Sequence, residues 1–249
     1  MIIVKAKKQR KSLSSLYFHK KKNIMSIQLN LNTIKAGLPE NVTLVAVSKT
    51  KPVSDLMQAY EAGQRIFGEN KIQEMADKFE EMPKDIQWHM IGHVQSNKVK
   101  FMAPFVSLIH GVDSLKLLQE INKQALKNNR IIDCLLQIYI AEEESKFGLD
   151  ENELNELLSS SELKEMKNIR ILGLMGMATF TENKNQIKKE FTHLKSIFDS
   201  IQQHKDALQC PSALDNFSTI SMGMSGDYQL AVECGSTMVR IGSSIFGGR

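Results

Sequence analysis

A chain of 249 residues, 42% apolar and 24% charged, has the material for one α/β barrel or two small domains, and no apolar run in it reaches membrane-spanning length. Its net charge of +4 belongs to one end. Residues 1–22 carry eight lysines and arginines and no acid, which leaves 24 basic residues against 28 acidic ones, a body of net −4 with no nucleic-acid footprint. Three cysteines, Cys134, Cys210 and Cys234, fit neither a disulfide framework nor a zinc pattern, so the cytoplasm is the expected compartment and no metal site is expected.

Residues 1–24 read as a basic tail or an upstream read-through, since they lack the apolar stretch of a secretory signal. Met25 is then the expected start, Ser26 the expected cap of an N-terminal helix running to Lys35, and 25–249 a single domain. Beyond it, β-branched apolar runs alternate with amphipathic stretches. Strands are expected at Val42–Ser48, Arg65–Gly68, Gln87–Gly92, Val106–Val112, Asp133–Ile140, Ile169–Ala178, Thr219–Met222 and Met238–Ile241. Between them, helices are expected at Ser54–Ala62, Asn70–Glu81, Gln95–Met102, Ser114–Lys127, Glu151–Leu158, Asn185–Gln203 and Asp227–Cys234. Core-facing stripes are expected from Ile72, Met75, Ala76 and Phe79, from Leu115, Leu118, Ile121, Asn122 and Ala125, and from Ile187, Phe191, Leu194, Phe198 and Ile201. About eight βα alternations are the count of a TIM barrel. An open doubly wound sheet is the alternative. Neither GxGxxG nor GxxxxGK occurs, so a dinucleotide site or P-loop has no support. With so few residues after the eighth strand, no second domain is expected.

In a barrel, functional residues cluster at the C-terminal ends of the strands, with phosphate held after strands seven and eight. The run Val45-Ala46-Val47-Ser48 ends in Lys49 and is stopped by Pro52. A charged amine at the lip of a core must be paired, solvated or used. Lys49 stands where a Schiff-base amine for pyridoxal phosphate (PLP) would sit. After the seventh strand, Gly223-Met224-Ser225-Gly226-Asp227 leads into a helix, so small residues and a helix N-terminus can meet an anion. After the eighth come Gly242 and Ser243, where a side chain at Gly242 is expected to fill the anion site. Two ordinary Gly/Ser turns are the bland alternative. Arg240, between Val239 and Ile241, needs an acceptor, either a cofactor ring nitrogen or a carboxylate on a neighbouring strand. Asn70 either offers its amide to a cofactor or caps the next helix. His89 and His93 read as structural histidines, and Lys146 as a second loop lysine near the same face.

Taken jointly, several segments resemble the pyridoxal-phosphate homeostasis protein (YggS/PROSC) family over nearly all of Asn41–Gly247. They are Ala46-Val47-Ser48-Lys49-Thr50-Lys51-Pro52, Phe67-Gly68-Glu69-Asn70, the run from Trp88 to Lys98, Gly173-Leu174-Met175-Gly176-Met177-Ala178, Ser221-Met222-Gly223-Met224-Ser225 and Val239-Arg240-Ile241-Gly242-Ser243. The resemblance implies an alanine-racemase-like (β/α)8 barrel without the racemase's second domain. It implies Lys49 as the Schiff-base lysine, Ser225, Gly242 and Ser243 at the phosphate, Arg240 at the pyridine nitrogen and Asn70 near the cofactor. It further implies a carrier of PLP with no catalytic residue, which releases the cofactor to PLP-dependent apo-enzymes, binds neither nucleic acid nor membrane, and is a monomer or weak dimer. The chain departs from the family pattern at Gly226, where an acidic residue is common, and in its basic tail. The alternative is a PLP-dependent amino-acid racemase. That chemistry needs acid–base groups on both faces of the substrate carbon, and the tyrosines here are Tyr17, Tyr60, Tyr139 and Tyr228.

Overall fold

Strands that are apolar along their whole length must be covered on both faces, and a closed parallel barrel does this. A computed structural model describes residues 27–143, 147–205 and 211–248, so the basic tail, Met25, Ser26, Lys146 and Cys210 lie outside the described residues. Eight strands pair in chain order: β1 (Thr43–Val47), β2 (Ile66–Glu69), β3 (Gln87–Met90), β4 (Leu108–Val112), β5 (Ile132–Gln137), β6 (Ile169–Met175), β7 (Thr219–Ser221) and β8 (Met238–Ile241). All pairs are parallel, and β8 pairs back onto β1 with Thr43 opposite Met238, so no edge is left and the open sheet is excluded.

The helices follow the alternation. They are α1 (27–36), α2 (Val53–Glu61), α3 (Ile72–Glu81), α4 (Val99–Met102), α5 (Leu115–Lys127), α6 (Glu151–Ser159), α7 (Ser161–Glu165), α8 (Lys184–His204), α9 (Tyr228–Glu233) and α10 (Ser243–Phe246). Local chemistry sets several starts. Asp150 and Glu153 form a capping box on α6, and the Asn183 side chain accepts from two N–H groups at the head of α8. α8 buries Ile187, Phe191, Leu194, Phe198 and Ile201 as its period predicts. α5 is rotated from expectation. It buries Leu117 and Gln124, while Leu115 and Asn122 are half-buried, because the run Leu115–Leu118 admits two phases. α3 buries Ile72 and Met75, yet its third fully enclosed residue is Lys78 rather than Phe79. The stretch Gln95–Met102 divides into a 3₁₀ turn at Ser96–Lys98 and α4. α7 and α10, of five and four residues, are too short for a periodic signal.

The period of two along each strand decides what stands inside the barrel. Val45, Leu108, Leu135, Met175 and Met238 form one apolar layer there. Two residues further along the same strands come Val47, His110, Gln137, Met177 and Arg240, which turns the upper interior polar and open. The predicted strands overshoot at this end. Ile91–Gly92, Ile138–Ile140 and Gly176–Ala178 lie past the last strand pairing. Several are apolar because they wall a cavity, as Ile91, Met177 and Ala178 do, and not because they pair. Among the described residues no helix is long and apolar enough to cross a membrane.

Candidate functional site at the barrel mouth

A cavity of about 560 Å³ opens at the C-terminal ends of the strands. Lys49, Asn70, Ser225, Arg240, Gly242 and Ser243 all line it. Residues almost 200 positions apart meet here because β8 closes onto β1.

Lys49 follows β1 within a β-turn closed by the Lys51 N–H to the Ser48 carbonyl (3.0 Å). Thr50, the third residue of that turn, has φ 63°. Such a turn favours glycine there, and a β-branched residue in the left-handed region costs about 1–3 kcal/mol. Lys49 is half-buried, and its amine has no hydrogen bond or ion pair with any described residue. Lys51 differs: its Nζ donates to the carbonyls of Phe246, Gly247 and Gly248 at 3.3, 2.9 and 3.0 Å.

Arg240 stands on the inward side of β8 and is 4% exposed. Nη1 donates to the carbonyl and hydroxyl oxygens of Ser221 (2.8 and 2.6 Å), and Nη2 donates to the Gly176 carbonyl at 3.0 Å. Protein acceptors thus take part of the guanidinium, and none of them is a strand carboxylate. Burial pulls its pKa down to about 10, with Asp227 opposing, so it stays charged at neutral pH. Its Nε and one Nη2 hydrogen have no acceptor among the described residues, and Arg240 faces the cavity. Behind it runs a buried chain. His110 Nδ1 lies 3.1 Å from Ser221 Oγ, and His110 Nε2 lies 3.1 Å from His89 Nδ1. One assignment gives every contact a donor and an acceptor: Arg240 donates to Ser221, Ser221 to His110, and His110 to His89. Both rings are then neutral. Burial agrees, pulling His89 down to about 3 and His110 well below the usual imidazole range.

The loops after β7 and β8 are joined by Ser225, whose Oγ accepts from the Gly242 N–H at 3.2 Å. Gly223 has φ 95°, and a Cβ there would meet Ala231 Cβ at 2.6 Å, so the turn into α9 requires glycine. The N–H groups of Ser225, Gly226 and Ser243 have no acceptor among the described residues. Gly242 also packs tightly: a Cβ there would meet the Val47 carbonyl oxygen at 3.0 Å and Val47 Cβ at 3.2 Å, so a side chain would press on β1. Asn70 does not cap α3. The cap position belongs to Lys71, with no side-chain bond, and the Asn70 amide lies in the cavity wall.

Other wall residues escaped the sequence reading. Gln137 and Asp227 are among them, and Gln137 fixes the following loop by donating to the Phe147 carbonyl at 2.6 Å. The inward parity of β5 is the signal that would have found Gln137. His93, read as structural, is a wall residue stacked on Phe147 (centroids 4.9 Å) and 3.3 Å from Asp113. Asp227 accepts from the Met224 N–H, and burial raises its pKa. His89 is buried and bonded to His110.

A family model described as the alanine racemase N-terminal domain matches residues 23–249. The pyridoxal phosphate homeostasis protein of Pasteurella multocida is 38% identical, with 91% of this chain and 96% of that protein covered. The one from Aquifex aeolicus is 37% identical, with 86% and 91% covered. Among solved structures, PipY of Synechococcus elongatus PCC7942 with PLP bound aligns at TM-score 0.78 and 33% identity, over 89% of this chain and 100% of that one. Alanine racemase from Bartonella henselae aligns at TM-score 0.65 and 17% identity, over 91% of this chain and 61% of that one, and so shares the fold alone. The barrel is therefore of the alanine racemase N-terminal class. Within that class, the chain belongs to the family of pyridoxal phosphate homeostasis proteins.

Proposed function

We propose that this protein holds PLP at the barrel mouth and serves the balance of that cofactor in the cell, releasing it to acceptor apo-enzymes rather than catalysing a reaction with it. The observation that carries the reading is one cavity shared by a lysine and two loops whose N–H groups, like the lysine amine, have no partner among the described residues. The names of the relatives and the PLP-bound PipY structure support it. When bound, PLP brings an aldehyde carbon that a primary amine attacks with loss of water.

Each residue then has a part. Lys49 supplies the amine, and Ser225, Gly226 and Ser243 offer N–H and hydroxyl donors to the phosphate. Asn70 offers its amide from the wall. Arg240 turns its spare donors toward the ring nitrogen. As a donor-only group it holds no proton that it can readily give, so the ring remains a weak electron sink. None of the described tyrosines lines the cavity. Tyr60 lies on the outer helix α2, bonded to Asp85 at 2.9 Å. Among the described residues, the wall groups able to move a proton besides Lys49 are His93 and Asp227, and each already has a protein partner.

Two measurements test the reading. PLP is expected to bind at least tenfold more tightly than pyridoxal, a difference of about 1.4 kcal/mol. Equal affinity would remove the phosphate site. In deuterated water, PLP-loaded protein is expected to exchange the α-proton of alanine no faster than free PLP. Rapid exchange abolished by Lys49→Ala would establish the racemase instead.

Gly242→Val is expected to weaken PLP binding more than Ser225→Ala or Ser243→Ala. Overpacking against Val47 costs about 1–3 kcal/mol and displaces both loop and strand, whereas each serine change removes one donor. Titration of the three variants with PLP checks the order.

A further inference from the structure

The Lys49 turn rests on a buried ionic cluster that the binding reading leaves unused. Lys78, on the inner side of α3, has its side chain 7% exposed. Its Nζ donates to Glu69 Oε1 (2.7 Å), Glu74 Oε1 (2.7 Å) and the Ser48 carbonyl (2.8 Å). Glu69, at the end of β2, is fully buried and also accepts from Ser48 Oγ at 2.6 Å. Glu74 Oε1 accepts from the Thr50 N–H at 2.5 Å. The residues on both sides of Lys49 are therefore gripped. The Ser48 carbonyl and hydroxyl are held by Lys78 and Glu69, and the Thr50 amide is held by Glu74. Lys49 itself is left out of the cluster.

A buried cation and two carboxylates are a costly way to hold a loop that packing alone could hold. They do something packing does not. Thr50 at φ 63° leaves the left-handed region unless its amide is fixed, and the turn then re-aims the preceding side chain. We propose that Lys78, Glu69 and Glu74 are positioning residues: they lock the Ser48–Lys51 turn with Thr50 left-handed, so that the Lys49 amine is held free and aimed into the cavity before PLP arrives. This rests on the reading of Lys49 as the PLP-linked lysine.

Glu74 is the member to change, because its side chain is 23% exposed on α3 and alanine favours the helix. The variants are Glu74→Ala, Glu74→Gln, Thr50→Gly and the double variant Thr50→Gly/Glu74→Ala. Each is measured for melting temperature without PLP, for the rate and affinity of PLP uptake by its visible absorbance, and for the lysine labelled after borohydride reduction. Glu74→Ala is expected to lose about tenfold in uptake rate and affinity with its fold intact. Glu74→Gln, which keeps an acceptor for the Thr50 N–H, is expected to stay within about threefold of wild type. Thr50→Gly needs no clamp to stay left-handed and is expected to restore most of the loss in the double variant. Wild-type uptake by Glu74→Ala, with label on Lys49, would overturn the proposal. So would a loss that tracks melting temperature and is not rescued by Thr50→Gly, because the cluster would then be merely structural. Label on another lysine in the wild type would instead overturn the Lys49 reading, and this proposal with it.

Discussion

Lys49→Ala is expected to erase the visible absorbance of PLP-loaded protein while leaving the unloaded fold intact. Its amine makes no hydrogen bond or ion pair with any described residue, so its removal leaves none of them without a polar partner, and the stability change is expected within about 0.5 kcal/mol. The loops after β7 and β8, proposed to hold the phosphate, remain, so weak, non-covalent PLP binding should persist. Lys51 cannot take over without releasing three carbonyls at the end of α10. Absorbance after dialysis, followed by reduction and peptide mapping, reads the result. A retained band with label on another lysine would reassign the site.

Acidification from pH 7 to pH 5 is expected to destabilise the unloaded protein, by about 2 kcal/mol through His89 and further in the same direction through His110. The source is the pair His89 and His110, both buried inside the barrel and both held neutral when folded. Unfolded, each titrates near pH 6.5. Between that value and the depressed folded ones, the unfolded chain binds more protons. Stability therefore rises with pH across this window and is lost as pH falls below about 6.5, at roughly 1.4 kcal/mol per unit for each ring. Urea unfolding at the two pH values measures the loss. A difference below about 1 kcal/mol would show that these rings do not stay neutral in the fold.

Much of this molecule was legible before any coordinates. The eight alternations predicted a barrel, and barrel logic placed Lys49, Ser225, Gly242 and Ser243 at one mouth. That inference needs only strand order and the end at which loops gather. What stayed hidden depends on side-chain parity and on pairs distant in sequence. Gln137 looks like one more polar residue until β5 is known to turn it inward. Arg240 announced that it needed acceptors, but its acceptors are Ser221 and a carbonyl of Gly176, which no spacing could reveal. Lys78 was no part of the stripe predicted for α3, because its partner Glu69 ends a different element. Gly242 was read as room for an anion, and its tight approach to Val47 across the seam could not be seen without the β1–β8 pairing.

The closure of the barrel has a consequence for how the protein is built. Seven of the eight pairings join strands adjacent in sequence, and one, β8 with β1, joins chain ends. That seam carries the largest loop-closure entropy of the fold. Its upper end is where Val47 meets Gly242, one residue from Ser243 and two from Lys49. PLP linked to Lys49 and held at Ser243, as proposed, would straddle the seam like a clasp. At a free concentration one hundred times its dissociation constant it adds about 2.7 kcal/mol to the closed state. The concentration of free PLP would then govern not only how much of the protein is loaded but how much of it stays folded.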